Sequence, residues 1–233
     1  MAVLSELEPN KVFKYFEEIC SIPHGSNNVK QISDYLVDFA KAHNLKCRQD
    51  DDLNVIIWKD GSKGYEDSEP VILQGHMDMV AVQEADCKKD MEKEGLDLEI
   101  NGDYISAKGT SLGGDDGIAV AYTLAVLDDE EMAHPPIEAI FTVNEEIGML
   151  GAATIDVSDL KGRLFMNMDS EDEGVFTVSC AGGASVICKF PYKRDLVNAP
   201  VIEIKLDDFT GGHSGVEIIK GRVNANCAMA RVL

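Results

Sequence analysis

Apolar residues recur at helical spacing in two segments near the start of the chain. Residues 10–20 gather their apolar side chains on one face, and Asn10 stands where a helix N-cap is expected. Residues 28–44 show the same spacing, with apolar residues at Ile32, Tyr35, Leu36, Phe39 and Ala40. Between the two segments, Pro23 disfavours helical geometry in the residue before it. The pattern therefore predicts two amphipathic helices joined by a loop.

Short apolar runs further along the chain predict the strands of a sheet. These runs cover residues 54–59, 71–74, 137–143 and 164–168. A helix over 116–127 is apolar on nearly every side and is expected to be buried. The charged segment 84–102 is expected to lie on the surface. Strands that alternate with helices indicate an α/β fold with a largely parallel sheet covered on both faces.

The pattern changes near residue 180. Two segments of alternating residues and a Gly-rich turn are followed by a helical stretch from Val223. This order is typical of an α+β domain, so we expect one domain over 1–180 and the beginning of a second over 181–233. Because the sequence stops inside the helical pattern, we interpret it as the N-terminal portion of a longer protein.

The composition excludes several kinds of partner. A formal net charge of −21 argues against nucleic-acid binding, which needs a basic face, and against binding to anionic membranes. No segment approaches the roughly 20 apolar residues of a membrane span, and the N-terminus lacks a basic, then apolar, signal pattern. The six cysteines include no C-x-x-C pair and are expected to be free thiols. We therefore expect a cytoplasmic protein.

A histidine and an aspartate follow the predicted strand at 71–74. In His76-x-Asp78 both side chains lie on the same side of an extended segment. A metal-binding imidazole needs its second nitrogen held by an acceptor, and a nearby carboxylate can do this. Taken alone, the pair fits an ordinary strand-end histidine hydrogen-bonded in a loop better than a metal ligand.

Acidic residues follow two other strands and begin the buried helix. Asp115 and Asp116 stand between glycines, where they either cap the helix or bridge two metals. Glu145 and Glu146 come directly after an apolar strand, where adjacent carboxylates repel each other unless a cation or proton intervenes. A solvated acidic turn explains this pair equally well. Asp169 adds an oxygen at the next strand end, so the set offers both metal ligands and a proton acceptor for hydrolysis.

Together, these motifs resemble the di-zinc exopeptidases of the aminoacyl-histidine dipeptidase and cytosol non-specific dipeptidase branch. The resemblance rests on Gln-Gly-His-Met-Asp-Met-Val (74–80), Leu-Gly-Gly-Asp-Asp-Gly (112–117), Asn-Glu-Glu-Ile-Gly (144–148) and Gly-Gly-His-Ser-Gly (211–215). It implies a three-layer αβα zinc-exopeptidase-like catalytic domain, here incomplete, followed by the start of an α+β lid domain.

The resemblance also implies a two-metal centre. One divalent ion would be held by His76, Asp115 and Asp169, and the second would share Asp115 and add Glu146. Zn²⁺ is the expected metal, and Mn²⁺ or Co²⁺ also suits oxygen and nitrogen ligands. In this family a cis peptide often follows the bridging aspartate, which here is Asp115.

Further roles come from the same resemblance. Glu145 would be the general base, and Asp78 would orient the ring of the metal-binding histidine. His213, from the lid, would help to polarise the scissile carbonyl. Arg222 and Asn224 are candidates for binding the substrate carboxylate, although a surface role explains Arg222 almost as well.

The activity implied for the complete enzyme is hydrolysis of dipeptides, either Xaa-His or of broad specificity, by a two-metal-activated water. One alternative is an amidohydrolase that acts on N-acylated amino acids, and another is a non-catalytic fragment that binds metal or dimerises. Family members continue beyond the lid and supply a last histidine ligand there, whereas no histidine follows His213. The expected partners are a small peptide substrate and a second copy of the chain bound through the lid.

Overall fold

The computed structural model describes residues 3–170, 174–179, 182, 184, 186–196, 198–212 and 217–233. These residues fall into two compact units, within 1–179 and 180–233. In the described part of the chain, no helix is both long and apolar enough to cross a membrane.

The first unit contains four helices and seven strands among its described residues. The helices are α1 (Asn10–Cys20), α2 (Lys30–Ala42), α3 (Gly114–Asp128) and α4 (Leu150–Thr154). The strands are β1 (Lys46–Gln49), β2 (Val55–Lys59), β3 (Val71–His76), β4 (Leu98–Asn101), β5 (Tyr104–Ala107), β6 (Ile137–Thr142) and β7 (Leu164–Asn167).

Five of these strands form a mixed sheet in the order β1-β2-β6-β3-β7. Strands β6, β3 and β7 are parallel, whereas β1 and β2 run antiparallel to their neighbours, so the prediction of a largely parallel sheet holds for only three of the five strands. The register pairs His76 with Thr142 and Gln74 with Asn167. The carboxyl ends of the three parallel strands therefore meet at one edge of the sheet.

One face of the sheet packs against α2 and α3, and α1 packs against α3. The core there includes side chains that are fully buried, among them Leu36, Ile57, Leu124 and Phe141. The prediction of helices on both faces is only partly met. Among the described residues, the opposite face has one short helix, α4, and the segment after it. Ala152 and Ile155 of that region bound a small cavity on this face, next to Ile140.

The predicted elements are largely confirmed, with three corrections. Helix α1 ends at the predicted Cys20, but its N-cap is Pro9, and the Asn10 side chain instead donates to the Ser5 carbonyl. Strand β1, the β4–β5 hairpin and the short helix α4 were not predicted, and the segment 84–102 that contains β4 was assigned to a charged surface excursion. The buried helix begins earlier than predicted, at Gly114, although Asp115 and Asp116 have non-helical backbone angles.

The second unit contains a 3₁₀-helix, Ile218–Lys220, and helix α5, Ala225–Val232. The Asn224 side chain caps α5 by accepting a hydrogen bond from the Cys227 backbone N–H at 3.0 Å. The assignment of this unit to a lid domain stays a prediction.

Candidate metal centre

The predicted ligands converge at the carboxyl edge of the three parallel strands. His76 ends β3, Glu145 and Glu146 follow β6, and Asp169 follows β7. Asp115, in the non-helical first turn of α3, points its carboxylate at the same place. These residues meet because the parallel order of β6, β3 and β7 brings the carboxyl ends of the three strands to one edge of the sheet.

Short distances around the His76 ring define the cluster. Its Nε2 lies 3.0 Å from Asp115 Oδ1, 3.9 Å from Glu145 Oε2 and 4.0 Å from Asp169 Oδ2. Two sets of three residues place their ligand atoms within 4.8 Å of one another: His76 with Asp115 and Glu146, and His76 with Glu145 and Asp169. All five predicted residues therefore lie in one cluster, although these sets differ from the two ligand groups that the resemblance implies.

The orientation of the His76 ring is fixed by a hydrogen bond at Nδ1, the ring nitrogen that faces away from the acidic cluster. Its Nδ1 lies 2.9 Å from the backbone carbonyl of Asp78, which can only accept a hydrogen bond, so Nδ1 carries the proton. The Asp78 carboxylate lies farther away, with Oδ1 at 3.6 Å from Nδ1. The backbone carbonyl of Asp78 thus makes the contact that was predicted for its carboxylate. In the neutral ring, this leaves the lone pair of Nε2 facing the acidic cluster.

The electrostatics of the cluster favour a cation. Burial lowers the pKa of His76, but hydrogen bonds to Asp115 and Asp78 outweigh this effect and raise the pKa to about 11. Burial raises the pKa of both Glu145 and Glu146, and neighbouring carboxylates raise it further. Carboxylates crowded in this way are stabilised by positive charge. One imidazole nitrogen and four carboxylates are also the donors that zinc, manganese or cobalt can take, so the residues fit a divalent metal.

Asp116 supports the backbone of His76, a role that was not predicted from its place at the start of a helix. The Asp115–Asp116 peptide bond is cis, as the resemblance implied. The Asp116 carboxylate is buried, and its Oδ2 accepts a hydrogen bond from the His76 backbone N–H at 3.2 Å. A Cβ on Gly75 would lie 2.8 Å from the same oxygen, so glycine permits the close approach of β3 to α3. Burial raises the pKa of Asp116 to about 8.

The loop between α1 and α2 contributes a residue that the sequence did not single out. The Ser26 hydroxyl donates to Asp78 Oδ2 at 2.8 Å. The other oxygen of that carboxylate, Oδ1, accepts the backbone N–H of Glu145 at 3.0 Å. A serine in the Ile-Pro-His-Gly-Ser segment carries no motif of its own, and its contact spans 52 residues along the chain.

The remaining predicted residues belong to the second unit. His213 lies outside the described residues. The Arg222 guanidinium pairs with Glu217, at 2.9 Å from Oε2, and also donates to the Gly211 carbonyl. Asn224 caps α5. The substrate-binding roles of Arg222 and Asn224 stay predictions.

Comparisons with known proteins place this geometry in context. No protein-family model matches the chain. The chain is 38% identical to the cytosol non-specific dipeptidase of Escherichia coli, over 100% of its own length and 48% of that protein. The structure of the aminoacylhistidine dipeptidase of Vibrio alginolyticus matches with a TM-score of 0.75 and 35% identity, over 99% of this chain and 47% of that one.

The predicted resemblance is confirmed. The chain spans about half the length of these two dipeptidases. A tripeptidase from Staphylococcus aureus matches with a TM-score of 0.60 over 71% of this chain and 44% of that one, and at 22% identity it supports the fold alone. The chain is thus similar in sequence and in fold to these dipeptidases over its whole length.

Proposed function

We propose that this chain serves the metal-dependent hydrolysis of dipeptides, of the Xaa-His or the broad-specificity type. The observation that carries the proposal is the single cluster formed by five predicted residues at the sheet edge. The similarity to two dipeptidases along the whole of this chain supports the same substrate class. The name of the E. coli relative places that protein in the cytosol, and on this ground we propose a cytoplasmic location for this chain as well.

Four side chains would hold two divalent ions, preferably Zn²⁺: His76, Asp115, Glu146 and Asp169. When bound, such ions polarise the peptide carbonyl and lower the pKa of water. The protein's part is to keep the donors in place. His76 does so through the bond of its Nδ1 to the Asp78 carbonyl, which fixes the tautomer and leaves Nε2 facing the carboxylate cluster.

Glu145 would act as the general base. Its carboxylate lies beside the His76 ring and is one-third exposed, so it can reach both the cluster and an incoming water. Burial raises its pKa, which brings the group closer to the working pH, where a base is most effective. Glu145 takes a proton from the attacking water and passes it to the leaving amino nitrogen as the peptide C–N bond breaks.

The surplus of carboxylates also suits the substrate. A dipeptide presents a free ammonium group, whereas an N-acylated amino acid does not. The acidic cluster favours the first, and so we place dipeptides above the alternative of an amidohydrolase for N-acyl amino acids. We further propose that His213 polarises the scissile carbonyl, that Arg222 and Asn224 bind the substrate carboxylate, and that residues 181–233 form a homodimer contact.

The test uses the purified chain supplied with Zn²⁺ or Mn²⁺. Release of free amino acid is measured with Xaa-His dipeptides, other dipeptides and N-acetylated amino acids, and bound metal is counted by mass spectrometry. We expect metal binding in both the chain and Glu145→Gln, and we expect any dipeptide hydrolysis to be abolished in Glu145→Gln. The matched control is Glu131→Gln, in the exposed loop that follows α3. Bound metal without turnover of any dipeptide would instead support the alternative of a non-catalytic metal-binding chain.

A further inference from the structure

The loop formed by residues 24–27 lies against the segment that carries His76 and Asp78. The Met79 backbone N–H donates to the His24 carbonyl, and the Ser26 N–H donates to the Met79 carbonyl, both at 3.2 Å. Gly25 pairs with Met79 in a parallel bridge. A Cβ on Gly25 would lie 2.7 Å from Ala81 Cβ, so the loop sits as close to this segment as glycine allows.

The same loop reaches the turn of the general base through one buried carboxylate. The Asp78 side chain is 0% exposed. Its Oδ2 accepts the Ser26 hydroxyl at 2.8 Å, and its Oδ1 accepts the Glu145 N–H at 3.0 Å. A carboxylate held at one oxygen alone can rotate about its Cβ–Cγ bond. The hydroxyl holds the second oxygen, so the carboxylate plane is fixed on both sides.

A second hydrogen bond joins the same loop and turn, between the residue after Ser26 and the residue before Glu145. The Asn27 backbone N–H donates to Asn144 Oδ1 at 2.7 Å. Asn144 has a φ of 55°, in the left-handed region that asparagine tolerates better than most residues. The turn that carries Glu145 is therefore tied to the loop at two consecutive positions, once through a side-chain amide and once through Asp78.

We infer that Ser26 is a positioning residue for Glu145 and acts through the Asp78 carboxylate. The inference rests on the proposed function in one respect, which is the role of Glu145 as the base. The hydrogen bonds described for Ser26 go to Asp78 and Met79, neither of which belongs to the five-residue cluster. Its hydroxyl holds the Asp78 carboxylate, which accepts a hydrogen bond from the Glu145 backbone N–H. This second bond sets where the Glu145 carboxylate lies relative to His76 Nε2.

The test measures the hydrogen bond from the Glu145 backbone N–H to the Asp78 carboxylate by NMR. An amide proton donated to a buried carboxylate gives a downfield ¹H–¹⁵N signal and exchanges slowly with solvent. In Ser26→Ala, we expect the Glu145 amide signal to move upfield and its hydrogen exchange to become about tenfold faster. Ser26→Thr keeps the hydroxyl and should restore both values. Ser21→Ala removes an exposed hydroxyl that donates to the Glu18 carbonyl and should change neither.

The outcomes separate this inference from the proposed function. An unchanged Glu145 amide in folded Ser26→Ala overturns the positioning role, whatever the chain hydrolyses. A shifted amide in a chain without dipeptide turnover supports the positioning contact and counts against the proposed function alone. Where turnover is present, kcat should fall by up to about 100-fold in Ser26→Ala with little change in KM. If Ser26→Ala does not fold, Ser26→Cys provides the same comparison, because its thiol is a weak donor of similar size.

Discussion

Replacing Gly75 with alanine should disturb the metal centre without removing any of its ligands. The new Cβ would lie 2.8 Å from Asp116 Oδ2 and 2.9 Å from Ala119 Cβ. Carbon atoms pack at about 3.5–4.0 Å, so α3 must move away from β3 by roughly half an ångström or more. The same movement lengthens the 3.2 Å bond from the His76 N–H to Asp116. His76 and Asp115, which these two elements carry, would then separate.

We expect Gly75→Ala to lower the free energy of unfolding by about 1–3 kcal/mol, the usual cost of overpacking a core. Urea unfolding followed by circular dichroism measures this change, and competition with a chromophoric chelator measures the affinity for Zn²⁺. Affinity should fall together with stability. The control is Gly182→Ala, whose added Cβ would have no heavy atom within 4 Å. If Gly75→Ala matched the wild type in both assays, the close approach of β3 to α3 would not support the centre.

Three further predictions test the core, the metal and the pH response. Phe141→Ala removes a fully buried ring and should lower the free energy of unfolding by about 3–5 kcal/mol, whereas Phe176→Ala, at 90% exposure, should change it little in the same urea titration. Adding Zn²⁺ at about 100 times its Kd should stabilise the fold by about 2.7 kcal/mol, and a chelator should reverse the rise in melting temperature; no rise would count against a metal site. Burial lowers the pKa of His24, so the unfolded chain binds more protons and stability should fall as the pH drops below about 6.5; His24→Gln should flatten this part of the pH profile.

Periodicity predicted the elements that bury a continuous apolar face. Helix α1 ends at the predicted Cys20, and β3 and β6 appear where short apolar runs stood. Strand β7 also appears at an apolar run, although its residues are exposed. Strand β1 escaped prediction because Lys46 and Arg48 lie over the Trp58 ring, a contact across strands that local sequence does not show. The prediction of Asn10 as the N-cap was wrong, because its side-chain amide donates to the backbone carbonyl of Ser5 instead.

The candidate site was predictable as a set of residues but not as a geometry. The parallel strand order brings their carboxyl ends together, and this much follows from the pattern alone. Which oxygens share a cation depends on how the turn after β6 rotates Glu145 and Glu146, and the spacing of adjacent residues does not fix that rotation. Ser26 and Gly75 were not recognised because each acts through a contact with a segment distant in sequence.

The central claim is that the cluster around His76 is a divalent metal site. The most direct test is the metal content of the purified chain after equilibration with Zn²⁺ and removal of free ions, compared with His76→Ala. We predict at least one tightly bound equivalent in the wild type and a clear loss in His76→Ala, with folding confirmed by circular dichroism. Equal metal content in the two proteins, or none in either, would contradict the assignment of His76 and its carboxylate neighbours as ligands.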